Sequence, residues 1–395
     1  MKILQVIPSV GPLRGGPSQV ALDVCEGLAQ LGVDVTLATT DDNGPDRLDV
    51  PLGQMIEQCG YKVIYFRRTT HEYTFSWSIT SWLYRNIQNY DFVHVHAVFS
   101  YVPLVSSLVA TFREVPYAIT PHGILGQWGF QTRRSHGKRL SYAILERQIL
   151  NRSRFVHATS EYEVRELRDL GVCAPIQLIY LGLKVPSFET ITRQDREEVF
   201  QGLRDRIVLL FLSRFHQKKG LDLLLPAFAQ AAKQFPQLVL ALAGRGDHDY
   251  ESWLRAEVRR LKLDKQVIWL GFVEGNAKQQ VLRNCDIFIL PSYSESFGMA
   301  VVEAMAYAKP VIISDQVAIH DVVSEANAGL ICSCQIQSLS EAILILARNG
   351  NMRKKMGDNG RVLVETKFEL GAVAGELLRI YEKEMRDSRT PLTDG

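Results

Sequence analysis

Short apolar runs alternate with helical patterns along the first half of the chain, at spacings typical of βαβ units. Six of these runs predict strands, which are Ile3–Ile7, Val33–Ala38, Val63–Phe66, Phe92–His96, Tyr117–Thr120 and Phe155–Ala158. Strands separated by helices predict a parallel sheet. The longest mostly apolar stretch, Ala97 to Phe112, contains Pro103 and is shorter than a membrane-spanning helix requires, so it is interpreted as a buried crossover helix.

The pattern restarts after a polar, charge-dense segment from about Lys184 to Arg206. Five more runs predict strands, which are Ile207–Leu212, Leu238–Ala243, Val267–Leu270, Ile287–Leu290 and Pro310–Ser314. The restart indicates a second α/β domain, which agrees with the length of the chain. We expect an N-terminal domain over residues 1–185 and a C-terminal domain over residues 186–371, followed by a final helix.

Composition is ordinary for a globular protein, with 46% hydrophobic and 22% charged residues, and excludes neither an enzyme nor a binding module. The net charge of +2 favours no nucleic-acid partner. The N-terminal MKILQVIPSVGP lacks the apolar core and cleavage site of a signal peptide, and no transmembrane segment is predicted, so a cytoplasmic location is expected. Six scattered cysteines are interpreted as reduced core thiols.

Two glutamates, Glu295 and Glu303, flank a predicted strand-to-helix turn between Asp286 and Pro310. Ligands of open parallel sheets bind at the carboxyl ends of strands, where the N–H groups of the next helix suit phosphates. Carboxylates accept hydrogen bonds from hydroxyls, so the two features together suit a nucleotide sugar. Glutamates are usually exposed. Glu303, however, lies among apolar or small neighbours in VVEAMAYA, so its charge is expected to have a partner.

The segment PSYSESFGMAVVEAMAYAKP resembles the retaining glycosyltransferases of family four, in which a Glu-x7-Glu element occurs in a context like PSxxExFGxxxxEAMAxGxP. The resemblance implies the GT-B fold, in which two facing Rossmann-like domains enclose an interdomain donor cleft and the final helix, here about residues 372–390, crosses back onto the first domain. It also implies that Glu295 contacts hydroxyls of the donor sugar and Glu303 those of the ribose. The donor is further expected to meet the segment Ser296, Phe297 and Gly298.

Two loops of the C-terminal domain extend the resemblance. After its first predicted strand, Arg214 and Lys219 precede a helix, where their charges suit a diphosphate. Loop cations are commonly solvated, but the family has Gly-Arg and Lys-Gly pairs at this place. The next loop contains a Gly-x-Gly element like that of the family, so the donor-site assignment also includes Gly244 and Arg245. Phe272, which follows the third predicted strand of this domain, is assigned to the donor site as well.

The N-terminal domain supplies a glycine pair and a histidine. Gly15 and Gly16 follow the first predicted strand, and glycines there allow close backbone approach to a phosphate. Neither a dinucleotide fingerprint nor a P-loop lysine is present, so this signal alone is weak. His122 follows the fifth predicted strand. A lone histidine is more often structural, but the resemblance places it at the catalytic centre with Arg214, Lys219 and Glu295.

Asp247 and Asp249 form an Asp-x-Asp pattern of the kind that holds a divalent ion in other glycosyltransferases. The pair precedes a helix, so helix capping is the favoured interpretation. The resemblance implies that no metal or other cofactor is required, because basic residues neutralise the leaving group.

The basic segment from Gln131 to Arg154 combines cationic residues with apolar Leu140, Tyr142, Ile144, Leu145 and Ile149. A helix with one buried face and a basic solvent face is the favoured interpretation. The alternative is peripheral contact with an anionic membrane, on the inner face of the plasma membrane, where the protein would reach a lipid-linked acceptor.

The resemblance implies retaining transfer of a hexose, with UDP-glucose as the expected donor and a glycan or lipid-linked oligosaccharide as the acceptor in polysaccharide biosynthesis. The chain departs from the family at Ala308, where glycine is usual, and at Val317–Asp321, where the usual Gly-Gly and glutamate are missing. Because these positions lie near the expected donor crevice, the sequence indicates the class of donor rather than its sugar. A UDP-sugar epimerase of related architecture and a non-catalytic nucleotide-sugar binding protein remain alternatives, whereas an oxidoreductase fits worst.

Overall fold

The computed structural model describes residues 1–125, 135–187, 196, 198–203 and 205–387. The chain folds into two compact units, an N-terminal unit of Met1–Lys184 with Glu369–Gly395 and a C-terminal unit of Val185–Phe368. The first four residues of the basic segment, 131–134, lie outside the described residues.

The N-terminal unit contains an eight-stranded sheet in the order β10-β9-β8-β7-β1-β2-β6-β5. Its strands are β1 Lys2–Ser9, β2 Asp34–Thr40, β5 Met55–Gln58, β6 Tyr61–Phe66, β7 Phe92–His96, β8 Tyr117–Thr120, β9 Phe155–Ala158 and β10 Ile176–Leu178, with a small hairpin of β3 Asp42–Asn43 and β4 Asp46–Arg47. All ladders of the large sheet are parallel except that of β5 with β6. Strands covered on both faces read as near-continuous apolar runs, which is why the sequence pattern predicted most of them.

The helices of this unit are α1 Gly16–Gln30, α2 Trp77–Asn86, α3 Tyr101–Phe112, α4 Ser135–Ser141, α5 Arg147–Arg152, α6 Glu161–Asp169 and α14 Leu370–Asp387. A π-helical turn, Tyr142–Glu146, joins α4 to α5. The final helix α14 packs against α1, where Gly27 leaves room for Ala374.

The C-terminal unit contains a six-stranded parallel sheet in the order β13-β12-β11-β14-β15-β16. Its strands are β11 Ile207–Leu212, β12 Leu238–Ala243, β13 Val267–Gly271, β14 Ile287–Leu290, β15 Val311–Ser314 and β16 Gly329–Cys332. The longer helices are α7 Leu221–Gln234, α8 His248–Arg260, α9 Gly275–Asn284, α10 Met299–Ala306, α11 His320–Glu325, α12 Ile336–Arg348 and α13 Gly350–Leu363.

Both sheets have the doubly wound strand order, in which successive strands are added first on one side of the first strand and then on the other. The reversal lies between β1 and β7 in one unit and between β11 and β14 in the other. Ligands of such sheets bind outside the carboxyl ends of the strands at this point. The expected fold class, two Rossmann-like α/β domains with parallel sheets, is confirmed.

The sequence pattern missed the short strands β5, β10 and β16, and β5 adds an antiparallel edge to a sheet whose six predicted strands are all parallel. β5 is mostly exposed, so it lacks the apolar run that marks a buried strand. All six cysteines are free. Cys25, Cys285 and Cys332 are buried, but Cys59 and Cys173 are exposed, so the core interpretation is wrong for those two.

Candidate active site

The loops after β11 and β14 meet at the reversal point of the second sheet. Lys219 ends a 3-10 turn, Gln217–Lys219, that leads into α7, and Glu295 lies in the loop between β14 and α10. Lys219 Nζ donates a hydrogen bond to Glu295 Oε2, and both side chains are largely buried. Adjacent strands therefore bring together a cation and a carboxylate that are 76 positions apart in the sequence.

The backbone of Glu295 is held from both sides. Its N–H donates to the Gln316 carbonyl at 3.0 Å, and its carbonyl accepts from Ala318 N at 2.9 Å. Ala318 belongs to the segment in which the sequence departs from the family pattern. That segment thus sets the position of the glutamate assigned to the donor sugar.

Close packing of the loops depends on glycine at two positions. Gly220 has φ 71, and a Cβ there would lie 2.0 Å from the Pro291 carbonyl oxygen after β14. Gly244 has φ 147, and a Cβ there would lie 1.9 Å from the Ser213 carbonyl oxygen after β11. No L-residue fits either place without moving the opposite backbone. The loops after three adjacent strands are therefore pressed together.

Two helices begin at these loops without a side-chain cap, because their N-cap residues are glycines. Gly220 precedes α7, and Gly298, with φ 95, precedes α10. The first N–H groups of an α-helix have no partner within the helix, and the helix dipole adds positive potential there. Both helix ends are suited to anions.

The residues beside Gly298 differ in what they can present. Phe297 is buried and packs edge-on against Phe368, with ring centroids 5.8 Å apart, so only its backbone can face a ligand. Ser296 is half-buried.

The loop after β11 is strongly cationic. Arg214 is exposed and makes no ion pair with any residue in the described ranges. Burial and then the charges of Arg214, Lys219 and Lys218 lower the pKa of His216, which lies between them. A positive potential therefore covers the start of α7, as a diphosphate would require.

Glu303 lies on α10 and pairs with Lys278 of α9, with Nζ 2.5 Å from Oε1. The prediction that the Glu303 charge has a partner is confirmed. Lys278 carried no signal in the sequence, because neither its spacing nor its surroundings belong to a motif. The second oxygen of Glu303 is left to accept other hydrogen bonds.

A cavity of about 350 Å³ lies at the carboxyl ends of β12 and β13, and it includes the predicted Gly244 and Arg245 in its lining. The Arg255 guanidinium stacks over the Trp269 ring, 4.3 Å from its centroid, on the cavity wall. Neither Arg255 nor Trp269 was predicted from the sequence. Phe272 follows the cavity-lining Gly271 and is exposed, as a side chain available to a ligand would be.

The predicted residues of the N-terminal unit follow β1 and β8. Gly15, with φ 80, caps α1, and Gly16 begins it; both are exposed, with open space where a Cβ would lie. His122 is buried and adopts φ 57, a left-handed conformation rare for residues other than glycine. Burial lowers the pKa of His122 to about 3, so the ring is neutral at physiological pH.

Asp247 caps α8, because its side chain accepts a hydrogen bond from Tyr250 N at 2.8 Å. The capping interpretation of the Asp-x-Asp pattern is confirmed. Within the part of the chain that the structure describes, no group of three His, Cys, Asp or Glu side chains is arranged to hold a metal ion.

The described part of the basic segment has an apolar surface as well as a buried face. Tyr142 and Ile149 are buried, whereas Leu140, Ile144 and Leu145 are 62%, 52% and 38% exposed. The interpretation of one apolar face buried in the core is therefore incomplete. None of the described helices is long and apolar enough to span a bilayer.

Comparison with known proteins agrees with this geometry. Residues 15–182 match the family model described as glycosyl transferase 4-like domain, and residues 194–363 match that described as glycosyl transferases group 1. The chain is 32% identical over 177 residues to phosphatidyl-myo-inositol mannosyltransferase of Mycobacterium leprae, a match that covers 44% of this chain and 46% of that protein. The chain thus spans about half the length of these mannosyltransferase relatives.

Solved structures match over almost the whole chain. HepE (Alr3699) of Anabaena, in complex with UDP and glucose, superposes with a TM-score of 0.78 at 21% identity, covering 97% of this chain and all of that one. Sucrose-phosphate synthase of Thermosynechococcus elongatus superposes with a TM-score of 0.77 at 22% identity, covering 98% of this chain and all of that one. The chain belongs to family four of the GT-B glycosyltransferases.

Proposed function

We propose that the protein is a retaining glycosyltransferase that moves a hexose from a nucleotide sugar to a hydroxyl acceptor. The observation that carries this proposal is the pairing of Lys219 with Glu295 beside two glycine-capped helix ends. An ammonium group has three protons to donate, so Lys219 can bond Glu295 and still face phosphate oxygens. The site then offers cations and amides to a diphosphate and carboxylates to sugar hydroxyls.

The donor we propose is UDP-glucose. Glu303 would accept hydrogen bonds from the ribose, and the cavity beside Gly244 and Arg245 offers room for the nucleoside. The Anabaena structure with UDP and glucose supports this donor. A mannosyl donor is the second candidate, because the Mycobacterium leprae relative is a mannosyltransferase.

In the proposed reaction the bond between the anomeric carbon and the diphosphate oxygen breaks, while the acceptor oxygen bonds to the same face of that carbon. The acceptor proton passes to the departing diphosphate, so no protein base is required, and Arg214 and Lys219 would neutralise the leaving group in place of a metal. Charge develops on the leaving group, and preorganised donors aimed at that charge are the largest source of stabilisation. Arg214, Lys219 and the start of α7 are assigned this role, and His122 is assigned a contact with the sugar.

The acceptor we propose is a glycan or a lipid-linked oligosaccharide, reached by peripheral contact with an anionic membrane. The exposed Leu140, Ile144 and Leu145 beside basic Arg139 support this contact. Apolar side chains flanked by cations are typical of surfaces that lie in the membrane interface. Such a protein would act at the inner face of the plasma membrane.

The proposal is tested by incubating the purified protein with a panel of UDP- and GDP-sugars, without acceptor or metal. Binding is measured by calorimetry and slow release of free nucleotide by chromatography. We expect one donor to bind and to be hydrolysed slowly. Isomerisation of the sugar would favour the epimerase, binding without release would favour the non-catalytic binding protein, and absence of binding would overturn the nucleotide-sugar assignment.

A further inference from the structure

One continuous chain of hydrogen bonds runs through the core of the N-terminal unit and ends at His122. Its members come from β1, β7, β8, β9, the loop after β8 and the final helix α14, and none is more than 8% exposed; they are Gln5, His94, His96, Thr120, His122, His157 and Tyr381. Most buried donors and acceptors are paired, so a buried network of this kind has few allowed proton arrangements. The arrangement here can be worked out from one end.

The far end of the chain is a backbone carbonyl, which can only accept. His157 Nε2 lies 2.8 Å from the Ile179 carbonyl oxygen, so this nitrogen carries the proton. Burial lowers the pKa of His157 to about 4, so the ring is neutral and its Nδ1 is an acceptor. Thr120 Oγ1, 3.0 Å away, must therefore donate its only proton to His157 Nδ1.

The proton positions in the middle of the hydrogen-bond chain are fixed in the same way. With its proton used, Thr120 Oγ1 accepts from His94 Nε2 at 2.6 Å. Burial, together with neighbouring histidines, holds the pKa of His94 well below its usual value, so His94 Nδ1 is an acceptor and takes the Tyr381 hydroxyl proton. The Tyr381 oxygen then accepts from Gln5 Nε2 at 3.2 Å.

The proton positions at the His122 end of the hydrogen-bond chain follow from those already assigned. Gln5 Oε1 accepts from His96 Nε2 at 2.8 Å, and burial keeps His96 neutral by holding its pKa well below the usual value. His96 Nδ1 therefore accepts from His122 Nε2, 3.0 Å away. His122 Nδ1 is left without a proton, and it makes no hydrogen bond to a residue that the structure describes.

The backbone at His122 is also held in place. Its φ of 57 is strained for a side chain with a Cβ, and such strain concentrates at functional sites. The next residue, Gly123, donates its N–H to buried Glu163 at 2.6 Å, and Glu163 is held in turn by Thr159 N at 2.8 Å. Both the ring and the loop that carries it are fixed.

We propose that this chain of hydrogen bonds locks His122 in the Nε2–H tautomer, so that Nδ1 is presented as a hydrogen-bond acceptor for a sugar hydroxyl. Gln5, His94, His96, Thr120, His157 and Tyr381 are then positioning residues, and Tyr381 makes the final helix part of the site. The identity of the hydroxyl rests on the proposed function, whereas the tautomer does not.

The tautomer is measured on the ¹⁵N-labelled full-length protein without substrate, by long-range proton–nitrogen correlation of the histidine rings. We expect the four buried histidines to carry their proton on Nε2 only. A proton on His122 Nδ1 would overturn the proposal, whatever reaction the protein catalyses.

Tyr381→Phe removes the hydroxyl in the middle of the hydrogen-bond chain and keeps the ring that packs on Phe92. We expect His94 and His157 to keep their tautomer, because Ile179 still sets it, while His96 and His122 become tautomer mixtures. Tyr117→Phe is the matched control, since it removes a buried hydroxyl that bonds the Ile149 carbonyl at 2.7 Å outside the chain. The control is expected to leave all four rings unchanged.

Thr120→Val interrupts the hydrogen-bond chain at a second position and replaces Tyr381→Phe in the test if that variant does not fold. Only His157 is expected to keep a single tautomer in this variant. Retention of a single His122 tautomer in either variant would contradict the proposal that the hydrogen-bond chain sets the tautomer of His122. In donor hydrolysis, Tyr381→Phe is expected to lower turnover about tenfold with unchanged nucleotide affinity. Unchanged turnover alongside a mixed His122 tautomer would show that His122 Nδ1 does not accept from a sugar hydroxyl. The rest of the proposed function would stand.

Discussion

Lys278 and Glu303 form an ion pair that joins α9 to α10, with Lys278 Nζ 2.5 Å from Glu303 Oε1. The pair occupies one carboxylate oxygen and leaves the other available. Glu303 is therefore held in a fixed orientation without losing its capacity to accept a ligand hydroxyl. This is the property that binding of a ribose requires.

Replacement of the Glu303 carboxylate is expected to weaken nucleotide binding. Glu303→Ala should cost roughly 1.5 to 3 kcal/mol of UDP binding free energy, the usual worth of a hydrogen bond to a charged group. Calorimetric titration with UDP measures the loss. Glu325→Ala, which removes an exposed carboxylate from the same unit, is the control and should bind UDP as the wild type does. Equal UDP affinity in both variants would end the ribose assignment.

Loss of the Lys219 ammonium is expected to slow turnover more than it weakens binding. The charge on the leaving diphosphate is greatest in the transition state, so Lys219→Ala should lower the rate of donor hydrolysis about 100-fold or more. Lys233→Ala removes an exposed lysine from the opposite end of α7 and is the control. Near-normal turnover of Lys219→Ala would show that Lys219 does not stabilise the leaving diphosphate.

Gly220 is expected to tolerate no side chain because of its neighbour as well as its φ angle. Gly202 has φ 70 with open space around a Cβ, whereas the same atom on Gly220, at φ 71, would meet the Pro291 carbonyl. Gly202→Ala should cost about 1 to 2 kcal/mol of unfolding free energy through its conformation alone. Gly220→Ala should cost more than about 4 kcal/mol, in the range of severe core defects. Urea unfolding compares them, and similar losses would show that the loops can separate.

Contact with membranes is expected to depend on the exposed apolar residues of the basic segment. The double variant Leu140→Glu with Ile144→Glu should reduce binding to vesicles of anionic lipid at least tenfold, because it places charge where apolar side chains would enter the interface. Ile345→Glu is the control, since Ile345 is comparably exposed on α12 of the C-terminal unit. Cosedimentation at low salt measures binding. A wild-type protein that stays unbound would end the membrane proposal.

Local sequence was enough to predict most strands of both sheets and the residues that lie in motifs. Lys219 could be named because it precedes Gly220, and Glu295 because it lies in the loop between Pro291 and Gly298; turns of this kind are a local property of the sequence. Ala308 shows why a family pattern holds: its φ of 53 lies in the left-handed region, where the family has glycine.

Partners far apart in the sequence could not be predicted in this way. Tyr381 meets His94 across 287 positions, and Lys278 meets Glu303 across 25, and neither spacing belongs to a helix or strand period. Such contacts are decided by how helices pack on the sheet. The cavity wall of Arg255 and Trp269 was missed for the same reason.

Glu146 is expected to make the stability of the protein depend on pH. It ends the π-helical turn and is fully buried, and neither carboxylate oxygen makes a hydrogen bond of ordinary geometry with a described residue. Burial raises its pKa to about 7, and the nearby Phe99 amide and Ser141 hydroxyl offset only part of that rise. The folded protein therefore holds a proton on Glu146 that the unfolded chain, with an ordinary glutamate pKa, releases at lower pH.

A folded pKa above the unfolded value gives a contribution to stability that is complete below about pH 4.5 and is lost as the pH rises through 7. Glu146→Gln removes this dependence, so between pH 5 and pH 8 the variant should gain about 2.5 kcal/mol of unfolding free energy relative to the wild type. Urea unfolding at several pH values measures the difference, in which the buried histidines common to both proteins cancel. Glu376→Gln, an exposed site on α14, should follow the wild type. A constant difference between Glu146→Gln and the wild type would mean that Glu146 is ionised in the folded protein at pH 5, which would require a cation or donor group to reach it in solution.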